Sequence, residues 1–186
     1  MSKRKKIIAL LTCAVLLMSS TMPVFAAEKS EVVNGEEIQE VIEIVTVETE
    51  PVKAENPDQL LIGDYRLKDI SKPSSSWNIS TEGQYDFEYS VYGTKHCYSA
   101  YNITGVTESV LYVNSATDDG STSSYGIEIY KNKTLLDTKI SAHTWYTDTD
   151  HTKQIRITNM DEDAKYYFKI VPTGQYLSGW GYWKKG

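Results

Sequence analysis

The chain has 186 residues, 40% of them hydrophobic, and a formal net charge of −6. That length supports one domain with a buried core. The acidic balance excludes the basic face that nucleic-acid binding requires.

The N-terminus has the three-part layout of a secretory signal peptide. Lys3, Arg4, Lys5 and Lys6 form a basic start, Ile7 to Met18 an apolar run, and Val24-Phe25-Ala26 a small-residue end. The run is too short for the roughly 20 residues that span a bilayer. We therefore expect residues 1–26 to be removed, leaving a secreted, extracellular protein with no membrane span. The signal is bacterial in style. Removing its four basic residues takes the net charge from −6 to −10. Cys13 leaves with it, so Cys97 remains alone, without an internal disulfide and best read as a small buried hydrophobe.

Residues 27–58 read as an acidic, Pro-punctuated, extended linker. Residues 28–58 hold ten acidic and two basic residues, a net −8. An anionic membrane surface would repel them. Within this stretch Ile38 to Val47 is β-branched and fits either a strand on a sheet edge or a sticky extended segment, and we expect it to be mostly extended and loosely attached.

Residues 59–186 carry the fold. Short apolar runs at Leu60–Ile62 and Tyr65–Leu67 precede a break at Lys72–Ser76. Gln84 to Tyr92 alternates, with Tyr85, Phe87, Tyr89 and Val91 on one face and Asp86, Glu88 and Ser90 on the other. Residues 96–103 have strand composition, and Val110–Val113 suits a central strand. Asn114–Ser124 reads as a polar loop. Tyr125–Tyr130 and Leu135–Ile140 form a predicted hairpin about Lys131-Asn132-Lys133. Ser141–Thr152 reads as a second polar loop carrying aromatics. Gln154–Thr158 is a strand with Ile155 and Ile157 inward.

Lys165–Ile170 alternates most clearly, with Tyr166, Phe168 and Ile170 on one face. Its expected neighbours are Gln154–Thr158 and Tyr176–Trp183. About eight short strands with no helical period predict an all-β, antiparallel β-sandwich, preceded by the extended acidic segment. The fourteen Tyr suit half-buried strand faces.

The stretch Met160 to Phe168 resembles the corner of fibronectin type III and Ig-like domains. Met160, Tyr166 and Phe168 follow the Ile155/Ile157 strand at matching spacing. The resemblance implies that the Tyr166 hydroxyl bonds back to upstream backbone. Here Ala164 takes the small-residue position, Glu162 stands where a turn proline is usual, and the early-strand Trp is missing. Tyr166-Tyr167-Phe168 after a turn also resembles the jelly-roll-like modules that end secreted bacterial peptidases. Both resemblances imply a sandwich and neither implies an activity.

For catalysis the chain offers His96, His143 and His151, but no Gly-x-Ser-x-Gly elbow and no His-Glu-x-x-His run. His96 and Cys97 point to opposite faces of a strand. Glu82, Asp86, Glu88 and Glu128 lie in or near strands, and Asp86 and Glu88 read as an exposed face. Asp118-Asp119-Gly120, Asp148-Thr149-Asp150 and Asp161-Glu162-Asp163 could offer oxygens to calcium. Such residues equally populate turns by bonding local backbone. No cofactor or metal is implied.

Aromatics are the stronger signal. Trp145, Tyr146, Trp180 and Trp183 could stack on sugar rings, with Asp148 and Asp150 bonding hydroxyls. Trp180 and Tyr182, two apart, equally fit the buried side of a last strand. The sequence thus favours a non-enzymatic extracellular module that binds carbohydrate or cell-wall glycan. A structural, protein-interacting sandwich, pairing through 38–47 by strand addition, is the alternative, and an extracellular hydrolase a weaker one.

Overall fold

Clear β alternation dominates the chain, and the computed structural model is built almost entirely of strands. It describes residues 40–47, 53–64 and 72–186. The expected signal peptide, most of the linker flanks and the Tyr65–Leu67 run lie outside those residues. All described residues belong to one unit, Asn34–Gly186.

In chain order the strands are β1 Val41–Val47, β2 Asp58–Gln59, β3 Leu61–Asp64, β4 Ser76–Asn78, β5 Tyr85–Val91, β6 Lys95–Tyr98, β7 Asn102–Thr104, β8 Ser109–Ala116, β9 Ser124–Asn132, β10 Thr138–Tyr146, β11 Asp148–Thr158, β12 Lys165–Pro172 and β13 Leu177–Lys185. One helical turn, α1 (Ile79–Glu82), follows β4, with the Asn78 side chain accepting from the Ser80 N–H at its start.

The strands form two sheets. Sheet A runs β1-β11-β8-β13-β5-β2, and sheet B runs β10-β9-β12-β6-β3, with β7 beside β12 and β4 beside β7. Pairing is antiparallel apart from β2 with β5 and β4 with β7. Two stacked sheets are a β-sandwich, the predicted class.

The strand count exceeds the eight expected because short and polar strands carry little periodic signal. The polar stretch 141–152 is strand at both ends, with only Thr147 between β10 and β11. That single residue carries the chain from sheet B to sheet A. Its N–H donates to the Ser123 carbonyl at 2.8 Å, and its hydroxyl accepts from the Ser123 N–H at 2.9 Å.

The neighbours expected for β12 are corrected in the same way. β11 and β13 lie in sheet A, whereas β12 pairs with β9, β6 and β7 in sheet B. β13 faces β12 across the core instead of lying beside it. The β9/β10 hairpin forms, but Leu135 and Leu136 sit at its tip, 98% and 81% exposed, because pairing starts at Thr138.

The core lies between the sheets. Tyr85, Phe87 and Tyr89 of β5, Leu111 and Val113 of β8, Ile155 and Ile157 of β11 and Trp183 of β13 line sheet A. Tyr125, Ile127, Ile129, Tyr166, Phe168, Ile170 and Cys97 line sheet B. Phe168 meets Phe87 at 4.7 Å and Trp183 at 5.8 Å between ring centroids. The Trp183 indole N–H donates to Ser109 Oγ at 2.7 Å, so its polar handle is satisfied where it is buried. Burial pushes the Cys97 thiol up to about 12, which leaves it a neutral hydrophobe.

Met160 to Tyr166 turns the chain from sheet A to sheet B. The Tyr166 hydroxyl accepts from the Asp161 N–H at 2.9 Å, the backward bond that the Ig-like resemblance implies. It also donates to the Glu40 carboxylate at 2.9 Å. Glu40 lies 3.2 Å from Lys131 Nζ as well. The residue just before β1 thus reaches across to two strands of sheet B, while β1 itself pairs with β11 over its whole length. For its described part, Ile38–Val47 is an edge strand and not the loosely attached extended segment expected of it.

Trp183→Ala should lower unfolding free energy by about 3–5 kcal/mol, since it removes the largest fully buried side chain and takes from Ser109 the donor its hydroxyl accepts from, leaving only the bond to Met160. Urea denaturation checks this, and a loss under ~1 kcal/mol would contradict the packing role.

Candidate functional site

β13 alternates in an unusual way. Leu177, Gly179, Gly181 and Trp183 point into the core, and Ser178, Trp180, Tyr182 and Lys184 point out. The two inward glycines are obligatory. A Cβ at Gly179 would lie 2.6 Å from Tyr89 Oη and 2.0 Å from the Asn114 carbonyl oxygen. At Gly181 it would lie 2.6 Å from Phe87 Cζ and 2.1 Å from the Tyr112 carbonyl oxygen. The two rings of β5 therefore press directly on the β13 backbone. Tyr89 is further pinned by hydrogen bonds to the Asn114 carbonyl and to Ser115 Oγ.

The outer face of sheet A is the result. Trp180 stands opposite Glu88 on β5 and Asn114 on β8. It lines a shallow groove of about 420 Å³ that crosses the strands, together with Gln59, Glu88, Ser90, Asn114 and Lys53. Lys53 Nζ is 3.1 Å from one Glu88 oxygen, and Gln59 donates to the other. Next to the groove, Tyr112 and Tyr182 stack at 4.5 Å, and Lys184 covers both rings at 5.3 and 5.6 Å. A half-buried indole, a carboxylate, two amides, a hydroxyl and an ammonium thus share one face. Such a set can stack on an apolar ring face and exchange hydrogen bonds with hydroxyls.

The four aromatics singled out from the sequence do not come together. Trp180 alone lines this groove. Trp183 is fully buried, so no ligand can stack on it, because the inward glycines invert the expected facing of the strand. Trp145 lies on the inner side of β10, edge-on to Tyr125 at 6.1 Å, in a strand rather than a loop. Tyr146 is 65% exposed, on the outer side at the edge of sheet B. Glu88, Gln59, Asn114 and Lys53 come from four separate segments. The alternation of β5 already turned Glu88 outward, but only strand pairing sets it beside Trp180.

The acidic loops serve local structure. Asp119 accepts from the Ser121 N–H at 2.9 Å and Asp161 from the Asp163 N–H at 3.1 Å. The bonds from Ser121 hold the Asp119 carboxyl below its usual range. Asp148 bonds His151 Nδ1 at 2.6 Å. It borders a second groove of about 330 Å³, lined by Thr117, Ser121, Thr147 and Thr149 among others, with no aromatic. Among the described residues, no three His, Cys, Asp or Glu side chains are grouped to hold a metal ion. Ser141 Oγ and His143 Nε2 are hydrogen-bonded, and burial lowers the imidazole pKa. Neither groove includes them.

The outer face of sheet B is a saturated polar–aromatic network. Tyr130 and Tyr167 stack at 5.0 Å, Lys139 and Lys169 lie over Tyr130, and both lysines pair with Glu128. Burial alone would raise the Glu128 pKa. Bonds from Lys139, Lys169 and Tyr130 outweigh it and bring the carboxyl from its ordinary 4.5 to about 2. The carboxylate binds its proton less readily when folded, so it contributes stability above pH 4.5 that is lost as pH falls towards 2.

Discounted for partial exposure, that contribution is about 2 kcal/mol. Glu128→Gln should therefore lower stability by about that amount at pH 7 and by much less at pH 2.5. Urea unfolding of both proteins at the two pH values measures it, and a deficit independent of pH would refute the assignment.

Comparisons with protein-family models, with curated protein sequences and with solved structures return no significant match.

Proposed function

We propose that this chain is a secreted, non-enzymatic module that binds carbohydrate, such as a cell-wall glycan, on the outer face of sheet A. The observation that carries the reading is Trp180 in its groove. An indole face attracts the polarised C–H bonds of a sugar ring, and Glu88, Gln59, Asn114 and Ser90 can bond its hydroxyls. The groove crosses β2, β5, β13 and β8, three gaps of about 4.8 Å each, so its length suits an oligosaccharide better than a monosaccharide. Its mixed charge suits a polymer of low net charge. The signal-like N-terminus and the single buried cysteine are consistent with export of a protein stabilised by its core alone.

Screening soluble and insoluble glycans against the protein, followed by titration of the best binder, tests this. Trp180→Ala should weaken binding at least tenfold, about 1.4 kcal/mol, with the melting temperature nearly unchanged. Tyr146→Ala should bind as the parent protein does. Unaltered affinity in Trp180→Ala, or no glycan bound at all, would overturn the proposal.

A further inference from the structure

Among the described residues the sheets end on five strands, β1, β2, β3, β4 and β10, and these edges are not alike, β4 having only three residues. β2 offers two residues and β3 four. β10 is interrupted by a register shift between Lys139 and Ser141 and carries Lys139. Bulges, short length and lysines are the usual means of blunting an edge. β1 has none of them. It is seven residues long, Val-Ile-Glu-Ile-Val-Thr-Val, with unbroken register against β11. Among the described residues no strand pairs with its other side.

The edge is firmly based. Glu40, immediately before it, is held by Tyr166 and Lys131. Partly buried Ile42 packs on the core. The one charge on β1 is Glu43, exposed and opposite Arg156 of β11. Arg156 is engaged by Glu108. In sequence the strand is flanked by Glu36, Glu37, Glu48 and Glu50, within a stretch of net charge −8. Two copies pairing through this edge would bring two such stretches together. Self-pairing is thereby opposed, and an oppositely charged strand is favoured.

We propose that the free edge of β1 is a strand-addition site for an extended, basic segment of a protein partner, with lysine or arginine placed beside Glu43. Backbone hydrogen bonds along the ladder supply affinity, and charge selects the partner. The site is separate from the Trp180 groove and does not depend on the glycan reading.

The test uses the full domain and a capped peptide of alternating valine or threonine and lysine. It should bind at low ionic strength and weaken severalfold as salt is raised. A matched peptide with glutamate in place of lysine should bind at least tenfold more weakly. Glu43→Gln should weaken the lysine peptide severalfold, and Glu43→Lys should reverse the preference. The Gln variant preserves the shape of the strand and keeps the test open if the Lys variant fails to fold. Trp180→Ala should leave peptide binding unchanged. The proposal is overturned if the lysine peptide does not bind. It is also overturned if N-methylation of alternate peptide amides leaves affinity intact, since plain ionic attraction would then suffice, or if sedimentation shows β1-dependent self-association that excludes the peptide.

Discussion

Phe168 closes the gap between the two sheets. It reaches Phe87 and Trp183 across the core, and no disulfide shares the load, since Cys97 is a lone buried thiol. Nearly all interior contacts are therefore dispersion and apolar burial between rings and β-branched residues, which are strong only when density is crystal-like. Aromatics that thick cannot all fit at the usual sheet spacing of about 10 Å. The inward glycines of β13 create the extra room. Phe87 and Tyr89 lie over Gly181 and Gly179, and Trp183 fills the next inward position.

This constraint explains which parts of the fold were legible. β5 and β12 have large apolar residues at their inward positions and, Val171 apart, charged or polar ones outside, so their faces were readable. β13 inverts the rule. Its inward glycines alternate with aromatics on the outer face, half-buried Trp180 and Tyr182 covered by Tyr112 and Lys184, and Gly-Trp-Gly-Tyr-Trp looks from sequence alone like Trp180 and Tyr182 facing the core with Trp183 outside. Only the pairing of β13 with β5 reveals that Phe87 and Tyr89 occupy the space the glycines vacate. β10 failed for a different reason. It is an edge strand with Ser141 and His143 beside Trp145 inside and Ala142 and Thr144 outside, so polar and apolar residues mix on both faces and no period is visible.

The candidate site was legible one residue at a time and not as a site. The aromatic signal selected Trp180, and alternation turned Glu88 outward. Their adjacency rests on long-range pairing, which propensity does not encode. The N-terminal strand shows the same division of information. β-branched composition marked 38–47 as strand-like, but its attachment rests on the distant ladder with β11 and on Glu40 meeting Tyr166, 126 residues away. A carboxylate in an acidic stretch gives no sequence sign that it will be the one held by a core tyrosine.

The same packing that hides Trp183 sets the quality of the outer face. Trp180 sits between two glycines whose backbone is clamped by Tyr89, Phe87 and the carbonyls of β8, so the strand beneath the indole cannot shift without disturbing the core. A rigid platform loses little conformational freedom on binding, and a shallow groove with few contacts needs that economy to reach useful affinity. Glu88 is likewise fixed from two sides, by Lys53 and Gln59. A ligand hydroxyl must displace or join those bonds, which favours groups that both donate and accept. Sugar hydroxyls do both, whereas a carboxylate or phosphate only accepts and would lie against Glu88 with like charge. On the proposed reading, the face would favour neutral polyhydroxylated chains over acidic ones, through the residue that the β5 alternation turned outward.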